Sequence, residues 1–284
     1  MLPTFVIIGS AKSGTTALHS YLSAHPEIHM SAVKETHYFA DPSGYFPFGR
    51  IGDRTEYEAQ FETNLAIRGE TSPSYSLYPL QRDVPKRLRA AIPGAKIIYL
   101  VRDPLARMEA LYRQRAAWQR LGSFEETIGD VEDPLNEYAC GSRYMRQLDQ
   151  YLEHFRREQI MVVDQDELRH GRRATLAAVF AFLDADPSFW SDDYLVDQNI
   201  SAAKRHLPQR YRQIARSPIA RSMVGLLPTS ARARVTATGR RIVSRPIPAP
   251  ELRPQAEARW REFFAAEIEA LREFSELRFD SWSF

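Results

Sequence analysis

The sequence predicts a three-layer α/β fold in which helices flank a central parallel sheet. Short, almost wholly apolar runs at Leu2–Ile8 and Lys96–Val101 read as strands buried on both faces. Segments of helical period separate the strands, and such alternation builds parallel sheets. Composition agrees: 284 residues, 44% hydrophobic and 26% charged, exclude a disordered chain. No run approaches the roughly 18 apolar residues that span a bilayer. The single cysteine, Cys140, leaves no disulfide scaffold and no cysteine-rich metal site.

In chain order, Leu2–Ile8 is a strand ended by Gly9, and Thr15–Ala24 is a helix stopped before Pro26. Residues 41–54 hold Pro42, Gly44, Pro47, Gly49 and Gly52 and read as loop. A short strand over 66–70 leads to an aromatic loop over 73–79. Leu80–Ile92 is a helix closed by Pro93-Gly94, and Lys96–Val101 is the second buried strand. Pro104 takes the first-turn position of a helix that runs to Arg120. Helices over 143–155 and 173–183 bracket a strand at 160–163. Residues 246–250, with three prolines, form a stiff connector. Trp260, Phe263, Phe264, Ile268 and Leu271 recur at helical spacing in a final helix over 257–271. With no internal repeat and no second core, residues 1–284 read as one domain. It carries a basic helical segment at 201–250 and a closing helical segment at 251–284. Leu2–Ile8 lacks the basic lead and cleavage site of a secretory signal, so the expected compartment is the cytoplasm.

The net charge of +2 hides an asymmetry. Residues 201–250 hold eleven Lys/Arg and no Asp or Glu. Such a block seeks phosphate, sulfate or an anionic surface. Within 216–245, Ile219, Met223, Val224, Leu226, Leu227 and Val235 lie among arginines. The pattern fits peripheral contact with the inner face of a membrane, and it fits equally a lid over a cleft. No nucleic-acid partner is expected.

The run Gly9-Ser10-Ala11-Lys12-Ser13-Gly14-Thr15-Thr16 joins the first strand to the first helix. Its glycines let the backbone fold tightly and turn N–H groups inward. The helix N-terminus adds unpaired N–H groups and partial positive charge. Lys12 brings a full charge, and Thr15 and Thr16 bring hydroxyls. Together they make a P-loop-like cradle for a phosphate-like anion. The triphosphatase pattern G-x-x-x-x-G-K-[ST] is altered, because the lysine precedes Gly14 by two residues and Thr15 follows it. The second strand is altered too. It runs into Arg102-Asp103-Pro104, with Arg107 beyond, where a triphosphatase has an acid for magnesium. Ligands bind beyond the carboxyl ends of parallel strands, so Arg102 and Lys12 are expected at one crevice, around a ligand with two separated phosphates. An ATP-dependent, kinase-like phosphotransferase is the weaker reading. A protein that binds a membrane or anionic surface on a degenerate nucleotide fold is a third.

GSAKSGTT, HPEI and KETHYF resemble the sulfotransferases that use 3′-phosphoadenosine 5′-phosphosulfate (PAPS), in the branch of the heparan-sulfate sulfotransferases and their bacterial relatives. VRDPLARMEALY is similar to that family's 3′-phosphate motif, with Arg102 as its leading arginine. GETSPSY is similar to a loop lining the family's acceptor cleft, and Cys140-Gly141-Ser142-Arg143-Tyr144 to its Gly-Ser-x-Tyr before a helix. REFFAAEIEALREFSELRFDSW looks like the family's closing helix.

The resemblance implies sulfuryl transfer from PAPS, leaving adenosine 3′,5′-bisphosphate (PAP). The acceptor would be a hydroxyl or amine of a small molecule, glycan or glycolipid, and no metal would be needed. Lys12, Ser13, Gly14, Thr15 and Thr16 would hold the 5′-phosphosulfate, and Lys12 would stabilise the leaving phosphate. Glu35 would be the general base, with His37 orienting it or standing in for it. Glu70 and Tyr75 would face the acceptor. Two positions depart from the pattern. Ala110 stands where the 3′-phosphate motif usually has serine, and Lys204 or Arg205 is expected to make up the lost contact. Thr71 follows Glu70 where the heparan-type enzymes have lysine, which argues against a heparan-like acceptor.

Overall fold

The computed structural model describes residues 1–43, 49–195, 205–206, 245–246 and 250–284, the two short pairs as backbone alone. The chain divides into two compact units. The first comprises Met1–Met108, Asp130–Asn199 and Pro254–Phe284. Its centre is a five-stranded parallel sheet: β1 (Phe5–Gly9), β2 (Ile28–Met30), β3 (Ile67–Thr71), β4 (Lys96–Val101) and β5 (Ile160–Asp164). The strand order is β2-β3-β1-β4-β5. The chain moves out from β1 to one side, then returns to build β4 and β5 on the other. In sheets of this kind, ligands bind beyond the carboxyl ends of the strands beside such a reversal.

The helices are α1 (Thr15–Ser23), α2 (Arg54–Ala59), α3 (Val84–Ala91), α4 (Pro104–Ala116), α5 (Phe124–Ile128), α6 (Glu137–Cys140), α7 (Tyr144–Leu152), α8 (Gln165–His170), α9 (Arg172–Phe182) and α10 (Pro254–Ser275). Phe5 and Ile7 of β1, Ile98 and Leu100 of β4 and Val163 of β5 share one core cluster. There they meet Leu18 and Leu22 of α1, Leu168 of α8, and Leu176, Val179 and Phe180 of α9. Each such side chain contributes roughly 1.5–3 kcal/mol when fully buried. Alternation sends Tyr99 to the opposite face, where its ring meets Tyr144 of α7 edge-on at 5.9 Å. Arg143 beside α7 is ion-paired with Glu267 of α10 at 2.8 Å, which ties those two helices together on that face. Apolar packing on both faces explains why the strands read as continuous apolar runs. Gly69 pairs with Phe5, and a Cβ at Gly69 would lie 2.1 Å from the Phe5 ring, so the register requires a glycine.

The second unit comprises Glu109–Gly129 and Ile200–Arg253. The Tyr112 ring packs against Phe124 at 5.3 Å, and Ser123 with Glu126 forms a capping box on α5. Arg205–His206 (β6) and Arg245–Pro246 (β7) pair antiparallel. Apart from those four residues, the basic segment 201–249, with the proposed membrane-contact stretch 216–245, lies outside the described residues. Among the described residues no helix is long and apolar enough to cross a membrane.

Several elements differ from the sequence expectation. β2 is a three-residue edge strand, held by His29 Nε2 against Gln60 O at 2.8 Å, and too short to show a period. α2 starts at the end of the expected loop, where the Asp53 side chain accepts from Glu56 N at 2.9 Å. The helix after Arg102 ends at Ala116 rather than Arg120. The final helix is longer than expected, Pro254–Ser275. Leu100→Ala, which empties the centre of the sheet's packed face, should cost about 2–5 kcal/mol. Urea unfolding checks this, and unchanged stability would contradict the packing.

Candidate active site

Every residue singled out in the described part of the first unit lies at or near the carboxyl ends of β1, β3 and β4. These are the three central strands of the sheet. After β1 the loop turns through Lys12 at φ 78° and Gly14 at φ 90°, both left-handed. Gly14 takes that conformation without strain, whereas Lys12 is held in it. Ser10 N donates to Leu100 O at 2.6 Å, which pins the loop to β4. Ser13 N donates back to Ser10 O at 3.2 Å, and the two serine hydroxyls meet at 2.5 Å. Gly14 caps α1 without a side-chain hydrogen bond, and no acid occupies its first turn. The positive end of α1 therefore faces the loop with no acidic residue in the helix's own first turn to offset it.

After β4, Arg102 Nη1 donates to Lys12 O at 3.2 Å. This contact brings the Arg102 side chain to the Lys12 backbone. Tyr144 fixes the turn: its hydroxyl donates to Arg102 O at 2.5 Å and accepts from Arg102 N at 3.3 Å. Ala110, eight residues on in α4, is buried and offers only a methyl group. Lys204 lies outside the described residues, and Arg205 is described only as part of β6.

After β3 the chain organises the segment that carries Glu35. Glu35 N donates to Thr71 O at 2.8 Å. Glu35 and His37 both adopt left-handed φ, 66° and 51°. Lys34 forms an ion pair with Glu35 Oε1 on the half-buried face of the segment. His37 is buried, with Nδ1 against Ser74 Oγ at 2.7 Å. Burial lowers its pKa below the ordinary value, against the pull of Glu35. A buried imidazole in that state is neutral near pH 7 and suits an orienting role better than proton storage.

Glu70, expected at the acceptor, is wholly buried, and its oxygens are engaged inside the protein. Oε2 accepts from Thr36 Oγ1, and from Ser72 Oγ at 3.2 Å. Oε1 accepts from Tyr57 at 2.9 Å and from Tyr75 at 3.0 Å. Burial pushes this carboxyl above the usual range, while the four hydroxyls pull it down. Tyr75 is buried as well, and its hydroxyl also accepts from Phe39 N at 3.0 Å. Ser72 Oγ likewise accepts from His37 N at 3.1 Å. Glu70 thus ties down residues 36, 37 and 39, directly or through Ser72 and Tyr75, in the segment that carries Glu35.

Sequence reasoning missed His19. It stands one helical turn after Thr15 on α1, and its Nδ1 pairs with Thr71 Oγ1 at 2.9 Å. Thr71 therefore holds Glu35 by its carbonyl and His19 by its hydroxyl. Burial, followed by the charge of Lys34, lowers the His19 pKa from 6.5 to about 4. The four-residue spacing from Thr15 was the available signal.

Comparison with known proteins identifies the family. The sulfotransferase domain family matches residues 2–204, and the chain belongs to that family. It is 27% identical over 208 residues to the bifunctional heparan sulfate N-deacetylase/N-sulfotransferase 1 of Caenorhabditis elegans, covering 68% of this chain and 23% of that protein. It is 29% identical over 195 residues to human heparan sulfate glucosamine 3-O-sulfotransferase 5, covering 66% of this chain and 54% of that protein. The chain thus spans about a quarter of the N-deacetylase/N-sulfotransferases it matches. In fold it is similar to the sulfotransferase of Alicyclobacillus acidocaldarius, with a TM-score of 0.70, 23% identity and full coverage of both chains. Mouse SULT7A1, solved with PAP, has the same fold at TM-score 0.51 and 16% identity, covering 96% of this chain and 88% of that one.

The fold binds His19 in its neutral form. As pH falls from 6.5 toward 4, the unfolded chain takes up the proton first, and stability drops through that window. His19→Gln should lose less stability on acidification from pH 7 to pH 5 than the wild-type chain in urea titrations. An equal loss in both would remove His19 from this account.

Proposed function

We propose that this chain transfers a sulfuryl group from PAPS to a hydroxyl or amine of a glycan, small-molecule or lipid acceptor. One observation carries the reading. Arg102, at the end of β4, touches the backbone of Lys12 in the β1 loop, and Glu35 hangs from Thr71 at the end of β3. These contacts support a reading in which two cationic groups and one half-exposed carboxylate serve a single site. The donor supplies a sulfuryl group on a phosphate leaving group. The loop residues Ser13–Thr16 and the N-terminus of α1 hold its 5′ end. Arg102 takes the 3′-phosphate. Lys12 Nζ neutralises charge on the oxygen that leaves sulfur. Glu35 accepts the acceptor's proton, and its bond to Thr71 with the Lys34 pair keeps the carboxylate aimed.

The donor set fits a two-phosphate nucleotide better than a magnesium nucleotide. The side chain after β4 is a guanidinium where a metal-binding acid would stand. The two matched relatives carry heparan sulfate in their names, one as an N- and the other as a 3-O-sulfotransferase. A glycan acceptor follows from that likeness, and the nitrogen-or-oxygen choice stays open between them. Thr71, paired with a neutral His19, favours an acceptor less anionic than heparan sulfate.

Transfer assays with 35S-labelled donor and an acceptor library test the reading. Lys12→Ala should lose about 10²–10³-fold in turnover, the scale of one charged transition-state contact. Glu35→Gln should bind PAP like the wild type and lose most of its rate. Unchanged turnover in Glu35→Gln would remove Glu35 as base. Arg102→Ala should weaken PAP more than 5′-AMP, and equal weakening of both would refute the 3′-phosphate assignment.

A further inference from the structure

Arg107 is the bulkiest fully buried side chain of the described residues, at 0% exposure. It lies directly behind the β1 loop. Its Nη1 donates to Ala11 O at 3.2 Å, Nη2 to Tyr138 O at 2.5 Å, and Nε to Ser142 Oγ at 2.7 Å. All three partners are neutral. Asp103, the acid just before the helix that carries Arg107, spends its carboxylate on Ala106 N and on Ser283. Among the described residues no carboxylate pairs with this guanidinium. A buried cation held only by neutral acceptors is costly unless an anion comes near.

We propose that Arg107 is a positioning residue of the nucleotide site, and that the bound 5′-phosphate supplies the counter-charge its buried guanidinium lacks within the protein. The inference rests on the reading that the β1 loop holds that phosphate. The geometry favours it in two ways. The Ala11–Lys12 peptide is trans, so holding the Ala11 carbonyl toward Arg107 turns the Lys12 N–H the opposite way. Arg102 holds the next carbonyl, that of Lys12. Two guanidiniums thus hold the carbonyls of consecutive loop residues. The charge of Arg107 is buried, and in a low-dielectric surrounding an anion in the loop feels it strongly.

Gly141 belongs to the same arrangement. A Cβ there would lie 2.8 Å from Arg107 Nη2. Gly141 has φ −72°, which any residue adopts, so the glycine is required by the guanidinium and not by the backbone. Gly141→Ala therefore pushes Arg107 off its acceptors while leaving its charge in place.

Calorimetry with PAP and with 5′-AMP, on the wild type, Arg107→Met, Arg107→Lys and Gly141→Ala, tests the proposal, with Arg102→Ala alongside. Thermal melts without nucleotide establish that each variant is folded. Arg107→Met should weaken both nucleotides alike, by roughly tenfold or more, as loss of a buried charge contact requires. Arg107→Lys should recover much of that loss, since the charge stays. Gly141→Ala should weaken both several-fold. Wild-type affinity in Arg107→Met, or equal losses in the Lys and Met variants, overturns the proposal. Should Arg107→Met fail to fold, wild-type affinity in both Gly141→Ala and Arg107→Lys overturns it. Equal weakening of both nucleotides in Arg102→Ala condemns the Arg102 reading and leaves Arg107 standing. A wild-type protein that binds neither nucleotide refutes the loop reading and this inference with it.

Discussion

The loop between β1 and α1 is shaped from behind. Its carbonyls at Ala11 and Lys12 are each held by a guanidinium, from Arg107 and Arg102. A carbonyl held on one side of a trans peptide turns the following N–H to the other, so these two contacts fix the orientation of two successive loop peptides. The rest of the site depends on that orientation. β4 supplies both arginines from its end and the first turns of α4, Ser10 is pinned to Leu100 of the same strand, and α1 begins where the loop stops. A cradle held so tightly needs little reordering when an anion binds, which is how fixed dipoles do more than water can.

The opposite wall is organised by a buried acid instead of buried cations. Glu70 sits at the end of β3 with four hydroxyl donors. Three of those donors, Thr36, Ser72 and Tyr75, also belong to or bind the segment that carries Glu35 and His37. A buried carboxyl that is fully hydrogen-bonded rigidifies its surroundings, whereas losing one donor would leave a costly orphan. Glu35 and His37 keep left-handed backbone conformations in this frame, a strain that neighbouring contacts must hold. The half-exposed Glu35 therefore owes its position to residues that never reach the crevice.

Much of the fold was legible because the strands at the sheet centre are apolar on both faces, so β1 and β4 showed as unbroken runs. The edge strand β2 was not, since three residues with half-exposed His29 in the middle carry no period. α5 was missed although Ser123 and Glu126 spell a capping box, because its five residues are too few for a helical pattern. In the candidate site, strand-end logic alone singled out Lys12 and Arg102, and the structure puts the Arg102 side chain against the Lys12 backbone. Glu35 needed the family resemblance, since a Lys-Glu pair in a loop has no pattern of its own. Glu70 was singled out for the acceptor, and no sequence feature could reveal that Tyr57, Thr36, Ser72 and Tyr75 converge on it from separate segments. The contacts of His19 and Arg107 were hidden for the same reason, because their partners lie 52 and 96 residues away.

The central claim is that one crevice holds a nucleotide by both of its phosphates. A crystal structure of the protein grown with PAP tests it most directly. The account predicts the 5′-phosphate within hydrogen-bond distance of the Ser13–Thr16 backbone and Lys12, and the 3′-phosphate on the Arg102 guanidinium. A nucleotide bound elsewhere, or bound in reverse with its 3′-phosphate in the β1 loop, would contradict it.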